Sequence, residues 1–204
     1  NGRGDKTPGA SIKAPDFKFT KPVFKKSFGL QSFAQLDKNH PAVEILSKRN
    51  LPKETWNDIY FSPKFFEFCN TQVQNKFPSL EGDHPRMVIP FRNKDGEIFA
   101  FQGRAFGNEK QKYITIILDK NHPKIFGMDR VDDTASLHVV EGPIDSLFIQ
   151  NSVAVAQSDL RLPDYKDKAV LVPDNEPRNK EVCRQIDKFI QEDYSVVIWP
   201  KGIK

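Results

Sequence analysis

Two short acidic stretches in this chain each follow a run of apolar residues. Glu141 comes directly after Leu137-His138-Val139-Val140 and is followed by Gly142, Pro143, Ile144 and Asp145. Asp174-Asn175-Glu176 comes directly after Ala169-Val170-Leu171-Val172-Pro173. Carboxylates are oxygen ligands of the kind hard cations such as Mg²⁺ or Mn²⁺ prefer, so acids brought together from the two stretches could hold such ions. Gly and then Pro after an apolar run is what a strand-to-helix junction needs, with Pro at the first helical position. Parallel α/β sheets place ligands just outside the carboxyl ends of their strands, and both acid groups are expected at that one edge. Capping of helices at βα junctions is the alternative role for Glu141 and Asp174. Asp145, in the first turn of its helix, is expected to cap or to support the other acids.

The elements that must position these acids can be read outward from them. Ser152–Ala156 is a further expected strand, Asn179–Asp193 an amphipathic helix with Val182, Ile186, Phe189 and Ile190 inward, and Ser195–Trp199 the last strand. The order β-α-β-loop-β-α-β implies a parallel sheet. Upstream, Met87–Arg92 and Glu97–Arg104 flank Asn93-Lys94-Asp95-Gly96, an Asp-Gly hairpin signal, and Lys112–Leu118 supplies a third antiparallel strand. Before the hairpin, apolar positions 42, 45 and 46 predict a helix over His40–Arg49, Pro52 marks the next start, and Trp56, Ile59 and Tyr60 continue it. Phe65, Phe66 and Phe68 are expected in the core.

Composition bounds the class. With 204 residues, 38% hydrophobic content and seventeen Phe, the chain can bury a core and is expected to form two small subdomains. Apolar runs fall short of the ~20 residues of a membrane span and no leader pattern opens the sequence, which predicts a soluble intracellular protein with no membrane partner. Cys69 and Cys183 are isolated, which excludes a disulfide framework and a Cys-rich zinc site within this chain. None of the four His residues is paired at metal-ligand spacing; structural roles are expected for them. The net charge of +4 suits a polyanionic partner, and its distribution says more. Lys13, Lys18, Lys21, Lys25 and Lys26 alternate with Phe17, Phe19, Phe24 and Phe28, which predicts a basic, Phe-containing arm that touches nucleic acid or tethers a neighbouring domain.

Taken together, strand-Glu-Gly-x-x-Asp and strand-Asp-x-acid resemble the Toprim domain of DNA primases, topoisomerases and related nucleases, from about Ser136 onward. The family usually reads Asp-x-Asp, and Glu176 departs from that pattern. The hairpin extends the resemblance: strand-Pro-x-Arg, turn, Gln102-Gly103-Arg104, then Lys112-Tyr113 and Phe126-Gly127 look like the catalytic core of bacterial and phage DNA primases. The lead-in from His40 to Tyr60 and the cluster from Asp174 to Asn179 look closest to primases of T-even-like tailed phages.

That resemblance implies a mixed α+β and α/β fold: a flexible arm over 1–35, an α+β basic subdomain over 36–135, and a Toprim parallel-sheet domain over 136–204, cut short at its C-terminus. It implies template-directed synthesis of short RNA primers by divalent-metal-dependent nucleotidyl transfer. Glu141, Asp174 and Glu176 would be catalytic and hold Mg²⁺ or Mn²⁺, as a pair of ions, with Glu141 either a ligand or a proton acceptor. Arg104 and Lys112, and less directly Arg92 and Lys124, would contact nucleotide or template phosphates. The implied partners are single-stranded DNA, ribonucleoside triphosphates, a replicative helicase and a zinc-binding module outside this chain, all in the cytoplasm of a bacterial or phage-infected cell. A Toprim-type nuclease and a catalytically degenerate nucleic-acid-binding accessory module are the rival readings. The subdomain carrying Arg104 and Lys112 argues against the nuclease.

Overall fold

The computed structural model describes residues 28–157, 159–200 and 202. Most of the expected basic arm, with Phe17, Phe19 and Phe24, lies outside the described residues. Phe28 lies inside them, buried edge-on against Tyr60, Phe68 and Phe101 at ring-centroid distances of 5.9, 5.4 and 5.1 Å.

An antiparallel sheet comes first in the chain. Its strands are β1 (Tyr60–Ser62), β2 (Arg86–Arg92), β3 (Ile98–Ala105) and β4 (Tyr113–Ile117), in the spatial order β1-β2-β3-β4. The Asp-Gly hairpin forms as its turn chemistry requires: Gly96 takes φ +77°, and the Asn93 side chain accepts from the N–H groups of Asp95 and Glu97. β1 covers β2 only from Arg86 to Val88, so Pro90 and its missing N–H lie past that paired stretch. Helix α1 (Pro41–Lys48) starts where the sequence predicts, with His40 Nδ1 accepting the Ala42 N–H at 3.2 Å, and α2 (Phe65–Gln72) brings Phe65 and Phe68 onto the sheet. Tyr60 does not continue a helix as expected. The helical stretch Lys53–Asn57 stops, and Tyr60 opens β1, where pairing with Val88 outweighs local preference.

The second sheet is parallel, as the βαβ order demands. β5 (Leu137–Val140), β6 (Ser152–Ala154), β7 (Ala169–Leu171) and β8 (Ser195–Val196) lie in the order β6-β5-β7-β8, with α3 (Pro143–Ser146) and α4 (Lys180–Gln191) in the connections. The expected inward stripe of α4 is only partly buried. Phe189 is inside, Val182 and Ile186 are half-buried, and Ile190 is 51% exposed, because β8 is only two residues long and gives the outer half of the helix nothing to pack on. One core runs from sheet to sheet: Met87, Ile89, Phe91 and Phe99 from the first meet Phe126, Val140, Ile144 and Ala154 from the second. That shared core sets the distance between whatever the two sheets carry.

Candidate active site at the parallel-sheet edge

β5 has hydrogen-bonded partners on both sides, so its short apolar run is held at the centre of the sheet and Glu141 emerges at its carboxyl end. Pairing with β7 continues one residue beyond the strand, as the Val172 N–H donates to the Val139 carbonyl at 2.8 Å; Asp174 therefore emerges alongside Glu141. Gly142 is required between strand and helix, since a Cβ there would overlap the carboxylate of Asp145 folded back against it. The Asp174 loop is braced from three directions. The Trp199 indole donates to the Pro173 carbonyl at 2.8 Å, the Glu176 N–H donates to the Asp174 carbonyl at 2.8 Å, and the Asn179 side-chain amide donates to Glu176 Oε2 at 2.6 Å. Asn179 also caps α4 by accepting the Glu181 N–H, which ties the acid loop to the helix start.

Burial raises the Glu141 carboxyl above its ordinary range, and repulsion from Asp174, Glu176 and Asp145 adds to it, against the pull of the Asp174 backbone N–H. Asp145 is raised for the same reasons, burial first and then Asp174, and is drawn back by its own N–H, Arg104 and Arg49. Asp145 is nonetheless the more exposed residue of the two, so water screens its charge better than that of Glu141.

The facing wall comes from β3 and β4. Their register sets Gln102 opposite Thr115 and Arg104 opposite Tyr113, two steps apart on one face, as the strand period requires. Arg104 is 3% exposed; its Nε donates to the Tyr113 hydroxyl at 3.0 Å and its guanidinium lies 5.6 Å from that ring's centroid. The Lys112 ammonium lies 5.7 Å from the same centroid. Behind them the buried guanidinium of Arg86 donates to the carbonyls of Gly103, Gln111 and Lys112 and meets His84 Nε2 at 3.1 Å. Gly103 admits the Phe65 ring, which a Cβ would overlap, so α2 closes on the strand beside Arg104.

Acids and bases meet in one cleft of about 650 Å³, which Glu141, Asp145 and Asp174 line from the parallel sheet and Arg104 and Lys112 from the antiparallel one. Glu176 lines an adjoining hollow of about 200 Å³ together with Glu141 and Asp174. Among the described residues no three or more His, Cys, Asp or Glu side chains stand close enough to enclose a metal ion as they are. Arg92 and Lys124 do not line the cleft. Arg92 donates to the Gly96 carbonyl and holds the hairpin turn, and Lys124 lines a separate hollow. Sequence reasoning missed Arg49, Gln102, Thr115 and Gln157 in the cleft lining. The period-2 face shared with Arg104 and Tyr113 could have found Gln102 and Thr115; Arg49, at the C-cap of α1, carries no local signal.

A four-stranded parallel sheet packed against a four-stranded antiparallel one is the fold of primase catalytic cores. The Aquifex aeolicus primase, in a structure of its zinc-binding and RNA polymerase domains, superposes with a TM-score of 0.61 at 20% identity over 82% of this chain and 51% of that one. The DnaG catalytic domain bound to single-stranded DNA gives 0.61 at 18% identity, over 86% and 68%. In sequence, the chain is 35% identical to the DNA primase of Enterobacteria phage T4 over 98% of its own length and 60% of that protein. The resemblance to primase cores therefore holds across the chain, which spans about 60% of the phage relative. No family model matches.

Proposed function

We propose that this chain is the catalytic core of a DNA primase, joining ribonucleotides into short primers on a single-stranded DNA template. The observation that carries this reading is the single cleft in which Glu141 and Asp174 face Arg104 and Lys112. Nucleotidyl transfer needs both walls, one to gather cations and one to hold phosphates. A nuclease built on the acids alone has no use for the second wall.

Glu141, Asp174 and Glu176 are the residues that would hold Mg²⁺ or Mn²⁺. Their donor set is all oxygen, and the mutual repulsion that adds to burial in raising Glu141 is what a cation relieves. A pair of such ions would activate the primer 3′-hydroxyl and stabilise the leaving pyrophosphate. Arg104 is already oriented by Tyr113, so it binds a phosphate oxygen without first losing side-chain freedom. Lys112 is exposed at the rim and adds charge there. Where Asp174 and Glu176 alone hold the ions, Glu141, with its affinity for a proton raised by burial, is suited instead to take the hydroxyl's proton as the bond forms. Asp145 supports the acid edge through Gly142. Arg92 keeps the hairpin in shape.

On this reading residues 36–135 and 136–204 are the two halves of the core, Phe28 and Phe33 anchor the end of the arm in it, and the Lys- and Phe-rich stretch before Phe28 meets nucleic acid. Ribonucleoside triphosphates, a replicative helicase and a zinc-binding module outside this chain are the partners, in the cytoplasm of a bacterial or phage-infected cell. The solved relative bound to single-stranded DNA supports the template class. No helix among the described residues is long and apolar enough to cross a membrane.

The test is incubation with single-stranded template oligonucleotides, the four ribonucleoside triphosphates and Mg²⁺ or Mn²⁺, with product sizing. Short ribonucleotide products that vanish in Asp174→Asn are expected. Degraded oligonucleotide without extension would make the chain a nuclease, and binding without either reaction would make it an accessory module.

A further inference from the structure

Among the described residues, Arg86, Gln102 and Glu109 each carry a buried side-chain atom with no hydrogen-bond partner, and of these residues only Gln102 lines the acid cleft. Gln102 is 6% exposed and sits two residues before Arg104 on β3, so the two side chains share one face of the strand. Its amide nitrogen donates to the Thr115 hydroxyl on β4 at 3.2 Å, while its Oε1 accepts from nothing. Thr115 is half-buried and lines the same cleft; having accepted that bond, it keeps its own hydroxyl proton to donate. A buried acceptor without a donor costs stability, and a native fold keeps one for a reason. Here the pair adds one acceptor and one donor, side by side, to a wall whose Arg104 faces phosphates.

We propose that Gln102 and Thr115 read the ribose 2′-hydroxyl of the incoming nucleotide and so decide between ribonucleotides and deoxyribonucleotides. The proposal rests on the primase-core reading and adds to it the residues that select the sugar. A 2′-hydroxyl is donor and acceptor at once, the feature by which a protein tells RNA from DNA. It matches this pair atom for atom: its proton goes to Gln102 Oε1, and its oxygen accepts from Thr115. The position fits as well. Two residues along a strand span about 7 Å, which sets the pair as far from a phosphate held by Arg104 as a nucleotide's sugar lies from its phosphates. The terminal torsion of a Gln side chain is broad, so the buried oxygen turns to the hydroxyl as it arrives. A 2′-deoxynucleotide leaves that acceptor unmet, and a site built on a substrate hydroxyl rejects the analogue lacking it more strongly than an apolar pocket does.

The test is primer extension by the whole chain on single-stranded template with Mg²⁺, giving kcat/KM for ribonucleoside triphosphates and for their 2′-deoxy and 2′-fluoro analogues, neither of which carries the proton. Wild type should prefer the ribonucleotide to both. Gln102→Met keeps the length of the side chain and removes the amide, so that preference should fall by about 10- to 100-fold. Thr115→Val removes only the donor, and the preference over the 2′-deoxy analogue should fall by about 3- to 10-fold. A general disturbance of the wall would slow all the nucleotides alike and leave the ratio where it was. Since the amide oxygen is unpartnered, Gln102→Met should hold or raise Tm. Should it unfold instead, Thr115→Val, at a half-buried position, decides the matter by the same ratio. A ratio equal to that of wild type in the folded variants, with extension continuing, overturns the proposal and leaves the primase-core reading standing. Wild type that takes deoxyribonucleotides as readily as ribonucleotides overturns it too. If wild type extends with no nucleotide at all, the primase-core reading falls and this inference falls with it.

Discussion

The two walls of the cleft handle charge in opposite ways. On the antiparallel wall the guanidiniums are buried and already partnered: Arg86 by three carbonyls, Arg104 by the Tyr113 hydroxyl and ring. On the parallel-sheet edge Glu141 is partly buried among like charges, with the Asp174 N–H its main relief. Buried cations that are satisfied internally make a rigid template for phosphates. Crowded carboxylates instead hold free energy in reserve, which a cation or proton releases. The basic wall should therefore behave as structure, and the acid edge as function that the rest of the fold sustains.

Removing Arg86 is the severest way to test the first half of that contrast. Arg86→Ala takes the guanidinium from the Gly103 and Gln111 carbonyls, while the Lys112 carbonyl keeps the Ala105 N–H; with each unsatisfied acceptor costing about 1–3 kcal/mol the loss should be about 2 kcal/mol or more. In a chain of this size that lowers Tm by about 4–8 °C, measurable by calorimetry. A drop of only a degree or two would mean that water replaces the guanidinium and that the wall is not built on it. Glu141→Gln tests the other half. Primer synthesis should fall at least about 100-fold, since even groups that only support a metal ligand cost 10–100-fold, while Tm holds. If the variant unfolds instead, Glu141 is a helix-capping acid.

Two smaller substitutions sharpen the comparison. Tyr113→Phe keeps the ring over Arg104 and removes one hydrogen bond, for about 1 kcal/mol and about 2–4 °C. Ala156, at the end of β6, holds φ +50°, and its N–H donates to the Glu141 carbonyl at 3.0 Å. Ala156→Gly exchanges the left-handed strain of an L residue, about 1 kcal/mol, for the greater entropy that glycine loses on folding, about 0.5 kcal/mol. Denaturant unfolding should show a gain of about 0.5 kcal/mol, and a loss would mean the backbone there is unstrained.

The acid edge was legible because its signals are local. Apolar runs ending in Glu141 and Asp174, with Gly142 and Pro143 forcing the turn, need nothing distant to be read. Tyr60 was not legible, since a three-residue edge strand exists only through its pairing with β2. Ile190 follows the helical period, yet nothing in that period reveals that β8 is too short to cover it. Arg49 reaches the cleft, and Arg92 and Lys124 fall away from it, because the shared core sets the two sheets together. Their separation depends on that packing and not on spacing along the chain.

The contrast is tested most directly by thermal unfolding of wild type and Glu141→Gln, with and without Mn²⁺, across pH. Glu141's folded value lies above its ordinary 4.5, so its charge costs stability that is fully lost above the folded value and regained below 4.5. Without metal, the variant should match or exceed wild type at neutral pH, and the gap should close as pH falls towards 4.5. Mn²⁺ at about 100 times its Kd should stabilise wild type by about 2.7 kcal/mol and the variant far less. A wild type indifferent to Mn²⁺, or a variant less stable than wild type at neutral pH, would contradict the account.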